Sequence, residues 1–136
     1  MPEMNIERMK ETIALLHRVH NKEGEFAKAK FDYSRWGYGT VHTCGMSACA
    51  GGYMTLHPPF VAEGLKPEAK GYLAPTFQNK SDEEALALFL GIAVYKARRI
   101  FMDLKSDQSQ VTALDVANSL QELLDAEQLP REPETA

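Results

Sequence analysis

Apolar positions recur with a helical period over much of this chain. Ile6, Met9, Ile13, Leu16 and His20 fall at three- and four-residue spacing, while Glu7, Arg8, Lys10 and Glu11 lie on other faces. That pattern buries one stripe of an amphipathic helix and predicts a first helix over 5–21, with Asn5 as its N-cap. Thr43 to Leu56 predicts a second helix over 43–56, stopped by Pro58 and Pro59, because proline lacks the N–H an inner turn needs. Ser81, with Glu84 three residues on, reads as a capping box for a helix over 82–90 that ends at Gly91. A fourth helix is predicted over 93–104. In the fifth, over 111–127, Val111, Leu114, Val116, Ala117, Leu120 and Leu124 share one side.

Little of the chain alternates with the period of a strand. FDYSRW, residues 31–36, alternates aromatic and polar residues as an extended segment would. GYLAPTFQN, residues 71–79, has strand-forming residues but an internal proline, so it reads as an edge strand or a loop, not a central strand. The expectation is a mostly α fold: a single compact helical domain over 1–128 with about five helices, minor β structure near 31–36 and 71–79, and a disordered polar tail over 129–136.

Composition narrows the function classes. With 136 residues, 44% hydrophobic and 25% charged, the chain has the make-up of one globular domain. A formal net charge of -4 argues against non-specific nucleic-acid binding. The acidic residues around the first apolar run do not make a signal peptide. Two cysteines are too few for a disulfide scaffold, and the reducing cytoplasm is the expected compartment. Trp36 to Ala62 contains no Asp, Glu, Lys or Arg. Five glycines and two prolines within that run argue against a membrane span and for a segment threaded through the interior. No cofactor is expected.

Both cysteines lie in VHTCGMSACAGGYM, residues 41–54. The small residues Gly45, Ser47, Ala48, Ala50, Gly51 and Gly52 imply close approach of other backbone or of an aromatic ring, with Trp36, Phe60 and Phe89 as candidates. Glycine inside a helix otherwise costs about 1 kcal/mol relative to alanine. A catalytic alternative takes Cys44 as a thiolate at a helix N-terminus, with His42 or His57 as base. Its C-G-x-x-x-C resembles the nucleophile motif of SUMO-protease-like cysteine peptidases, although Thr43 stands where that motif has Asp. A metal alternative joins His42, Cys44, Cys49 and His57, ligand types that suit zinc at a spacing unlike the common fingers. A third alternative reads ALFLGIAVYKARRI, residues 87–100, as a helix-turn-helix. Ala87, Ile92, Ala97 and Ile100 would face inward, and Lys96, Arg98 and Arg99 would face DNA.

FDYSRW, then CGMSACAGGYM, then EEALALFLGIAVYKARRIF together resemble a family of uncharacterised small phage and prophage proteins. Their pattern is F-D-M-x-x-W, C-G-T-x-A-C-x-x-G and F-G-I-x-x-x-x-A-x-x-L-F. Phe31, Asp32, Trp36, Cys44, Gly45, Cys49, Gly52, Phe89, Gly91, Ala97 and Phe101 are the matching positions, while Met46 and Tyr53 depart from it. The resemblance covers residues 31–102. It implies a phage-type protein acting in the cytoplasm of a bacterial host cell, and assigns no activity. The leading expectation is a non-enzymatic accessory protein that binds, and can inhibit, a bacterial host protein. A cysteine-dependent hydrolase and a DNA-binding protein are the alternatives.

Overall fold

The computed structural model describes residues 4–27, 30–33, 36–38, 47–69 and 72–128. Among them the chain is mostly helical, with α1 (Ile6–His20), α2 (Ala50–Met54), α3 (Pro58–Ala62), α4 (Asp82–Leu90), α5 (Val94–Phe101) and α6 (Ala113–Gln128). Six short strands run between them: β1 (Lys30–Phe31), β2 (Gly37–Tyr38), β3 (Ser47–Ala48), β4 (Lys66–Ala69), β5 (Tyr72–Phe77) and β6 (Lys80–Ser81). They form one sheet in the order β1-β3-β2-β5-β4, with β6 also paired to β5. The strand content is therefore more than minor. No helix among the described residues is long and apolar enough to cross a membrane.

Four of the expected helices form close to their predicted bounds. Asn5 caps α1 by accepting the Arg8 N–H at 3.0 Å. The backbone N–H of Asn5 also donates to the Leu90 carbonyl at 2.8 Å, which ties the start of α1 to the end of α4. Gly91 closes α4 at φ 71°, a left-handed cap that glycine takes without steric cost. The capping box does not form. Ser81 holds the N-cap position without a side-chain cap bond, and Asp82 sits at φ 55°.

The expected helix over 43–56 is present only in part: among the described residues it runs from Ala50 to Met54. Ser47 and Ala48 are strand, paired with β1 on one side and β2 on the other, and Cys49 is the N-cap of the five-residue α2. Sheet pairing takes the backbone groups that a longer helix would have used. The two prolines do not end α2, which stops at Met54; they open α3, where a missing N–H has no consequence. Of the extended segment expected over 31–36, Phe31 is strand, in β1, while Asp32, Tyr33 and Trp36 are not.

β5 is not an edge strand. It lies between β2 and β4, with Pro75 opposite Pro67, a pairing that asks neither residue for an N–H. On the other side, pairing passes from β2 at Tyr72 to β6 at Thr76, so Pro75 falls in the gap. Gln78 and Asn79, both at positive φ, make the two-residue turn into β6, the backbone twist that tight hairpins favour.

One apolar core joins these elements. Met9, Leu16, Met54, Leu73, Leu86, Phe89, Ala117 and Leu120 are buried in it together. α1 packs along α6, while β5 packs against α2 and α4. Phe89 is the centre of an edge-to-face aromatic group, with ring centroids 4.8 Å from Phe60 and 5.1 Å from Phe77. The guanidinium of Arg8 stands 4.1 Å above the Phe89 ring and donates to the Phe89 carbonyl at 2.9 Å.

Candidate functional site

The small-residue segment is a packing surface for Trp36. A Cβ placed on Gly52 would collide with the Trp36 carbonyl, and one on Gly51 would strike the Trp36 ring. Close approach by Trp36 is what the glycines imply in sequence. Cys49 lies beside this contact, 3% exposed and a free thiol. Burial pushes its pKa up to about 11, because a thiolate loses its hydration there. Backbone N–H groups of Gly51 and Gly52 at the start of α2 act in the opposite direction and are outweighed. The position at a helix start therefore does not activate this cysteine.

His42 and Cys44 lie outside the described residues. The two remaining members of the cysteine–histidine set stand on either side of α2, and each has its own surroundings. His57 is 7% exposed. Its Nε2 lies 2.7 Å from Glu11 Oε1, and its ring packs edge-on to Phe60 at 4.9 Å. Among the described residues no group of three His, Cys, Asp or Glu side chains could hold a metal ion.

Glu11, though not His57, lines a cleft of about 390 Å³ between α1 and α3, together with Glu7, Arg8 and Glu63 over Phe60. Arg8 closes its floor, donating to both Glu63 carboxylate oxygens at 3.4 Å. No local sequence signal marks this group. Glu11 and His57 are 46 residues apart, and Glu11 reads locally as one more solvated charge on the polar face of α1. Tyr33 is likewise a tie between distant elements that no local pattern marks. Its hydroxyl donates to the Ile100 carbonyl at 2.7 Å and accepts the Leu104 N–H at 3.0 Å.

The α4–α5 corner has the burial expected of its sequence. Ala87, Ile92, Ala97 and Ile100 are buried, and Lys96 is half-buried while Arg98 and Arg99 are exposed. Arg98 is already engaged, however. It donates to Glu83 at 2.8 Å, and that bond pulls the Glu83 carboxyl below its usual range. The first turn of α4 adds Asp82 and Glu84 beside it. Asp82 is pushed the other way, chiefly by burial and then by the charges of Glu83, Glu68 and Glu84.

The same corner is also apolar. Leu88 is 41% exposed, Val94 45% and Tyr95 69%. These are three of the four large hydrophobic side chains that stand in solvent among the described residues, the fourth being Val61. Beyond Tyr95 a groove of about 490 Å³ runs between α5 and α6. The chain matches no protein-family model, no curated protein and no solved structure.

Proposed function

We propose that the chain is a phage-type accessory protein, non-enzymatic, that binds a bacterial host protein in the cytoplasm and can inhibit it. The observation that carries this reading is the exposed apolar group at the α4–α5 corner, Leu88, Val94 and Tyr95. Exposed large side chains are unremarkable singly, but a cluster rimmed by charge is a common mark of a protein-binding surface. Tyrosine supplies much contact area for little lost side-chain entropy. The charges on these two helices are mixed in sign, with Lys96 and Arg99 on α5 and the carboxylates of Asp82, Glu83 and Glu84 in the first turn of α4. Such a mixture suits a protein surface better than the uniformly negative backbone of DNA.

Affinity purification from bacterial cells tests it, comparing the wild type with Leu88→Asp and Val94→Asp variants of unchanged melting temperature. Enrichment of one host protein, lost in both variants and reproduced with that protein purified, is the expected result. Equal enrichment by all three chains would remove the corner from the reading. A wild type that enriches no host protein would remove the reading itself.

The hydrolase alternative draws support from one contact. A general base needs a partner to orient it, and Glu11 at 2.7 Å from His57 is such a partner. The discriminating variant is Cys44→Ser, which removes a nucleophile but keeps most of the side-chain volume. Loss of biological activity at an unchanged melting temperature would favour the hydrolase, whereas retained activity favours the binding protein.

A further inference from the structure

We propose that two copies of this chain associate about a two-fold axis through the groove between α5 and α6, with Tyr95 of each copy entering the groove of the other. The argument begins from what a two-fold interface demands. Each surface must carry both halves of every contact, because the same patch meets itself. The groove and its margin satisfy that condition in shape and in charge.

In shape, Tyr95 stands 69% exposed at one end of α5. The groove beside it, about 490 Å³, has apolar walls from Ile100, Leu104 and Leu123. A protruding ring and an apolar hollow therefore sit next to each other on one face. An aromatic side chain buries about 150–250 Å² when such a hollow receives it.

In charge, the α5 wall carries Arg99 and the α6 wall carries Glu122. Neither has an ion-pair partner among the described residues, although the neighbouring Arg98 is held by Glu83 at 2.8 Å. Arg99 and Glu122 line one groove without closing a bridge to each other. A two-fold rotation that brings the α5 wall of one copy to the α6 wall of the other pairs Arg99 with Glu122 twice. A foreign partner would need only the complement of this pattern, whereas here the pattern and its complement stand on the same chain.

One aromatic side chain seated in each groove buries far less than the roughly 800 Å² per partner of a stable interface, so the association is weak and concentration-dependent. Sedimentation velocity on the purified chain, from about 1 μM to about 1 mM, reads it directly. The expected result is a mass that rises from monomer towards dimer. Arg99→Glu and Glu122→Arg should each weaken association about tenfold, by placing like charges across the interface. The double variant, in which the charges are exchanged, should recover it, and Tyr95→Ser should abolish it. All three positions of change are on the surface, and melting temperatures establish that the four variants fold. A chain that stays monomeric throughout overturns the proposal, as does a double variant no better than the single ones. If the chain is monomeric and the single variants abolish host-protein capture, the groove belongs to a foreign partner and the proposal fails. Tyr95 and Arg99 belong to both surfaces, so dimer and host protein compete for them; the host-protein reading is tested separately at Leu88 and Val94, which do not line the groove.

Discussion

His57 Nε2 and Glu11 Oε1 lie 2.7 Å apart, joining the loop after α2 to the outer face of α1. The histidine is buried and the carboxylate is half in water, so the pair brings solvent contact to an otherwise enclosed ring. Removing the carboxylate leaves a buried ring nitrogen without that partner, at a cost of about 1–3 kcal/mol. Glu11→Ala should lower stability by that amount in urea unfolding, with Glu11→Gln retaining part of it because an amide can still bond the ring. Unchanged unfolding midpoints for both would mean that the contact contributes nothing to the fold.

Cys49 gives a prediction of opposite character, an absence of reactivity. Its thiol is buried, and its pKa of about 11 leaves almost no thiolate at neutral pH, the form that attacks alkylating reagents. Iodoacetamide at neutral pH should leave the Cys49 peptide unmodified in the folded protein and label it fully in denaturant, as read by peptide mass mapping. Cys49→Leu should destabilise by about 1–3 kcal/mol through overpacking against the small residues around it. Rapid labelling of the native chain at this peptide would contradict the burial.

The two glycines facing Trp36 can be separated by what they meet. Gly52 approaches the Trp36 backbone, and Gly51 approaches the Trp36 ring. Gly52→Ala should therefore lower the melting temperature despite the roughly 1 kcal/mol that alanine gains in helix propensity, and no change of residue 36 should relieve it. Gly51→Ala should also destabilise, but Trp36→Leu in the same chain should recover part of the loss. Equal recovery at both positions would show that the backbone is free to move away.

These contacts also mark what the sequence made legible. The stripe of Met9, Ile13 and Leu16 and the αL glycine at residue 91 are local features, and α1, α4, α5 and α6 followed from such signals. The small residues at 47–52 correctly implied a close neighbour, and Trp36 is that neighbour. The same residues misled on secondary structure. Ser47 and Ala48 pair on both sides with strands, and a two-residue strand between partners leaves no periodicity to detect. β5 is central, despite its proline, for a related reason: proline excludes a central strand only when a neighbour needs its N–H, and Pro67 across the ladder does not. Glu11 with His57 and Tyr33 with Ile100 are long-range pairs, which no local pattern specifies. His42 and Cys44 lie outside the described residues, so the cysteine site predicted in sequence is met here only at Cys49 and His57.

The acidic start of α4 yields a prediction whose sign depends on pH. Asp82 is held above its ordinary pKa by burial and by Glu83, Glu68 and Glu84, so the folded state binds its proton more tightly than the unfolded state does. A raised carboxyl pKa makes the fold lose stability as pH rises from the unfolded value of 3.8 through the folded one, and that loss persists at neutral pH. Glu83 acts in the opposite sense. Its pKa is lowered by the bond from Arg98, so its stabilisation is present above the unfolded value of 4.5 and disappears as pH falls through the folded one. Asp82→Asn removes the repulsion without disturbing Glu83, and asparagine tolerates the φ of 55° at this position. The variant should melt above the wild type at pH 7 and should match it near pH 3, where Asp82 is protonated anyway. Glu83→Gln should show the reverse, melting lower at pH 7 and converging with the wild type in acid. Thermal melts of the three chains across this range decide it. A difference between Asp82→Asn and wild type that is the same at both pH values would mean that charge is not its cause.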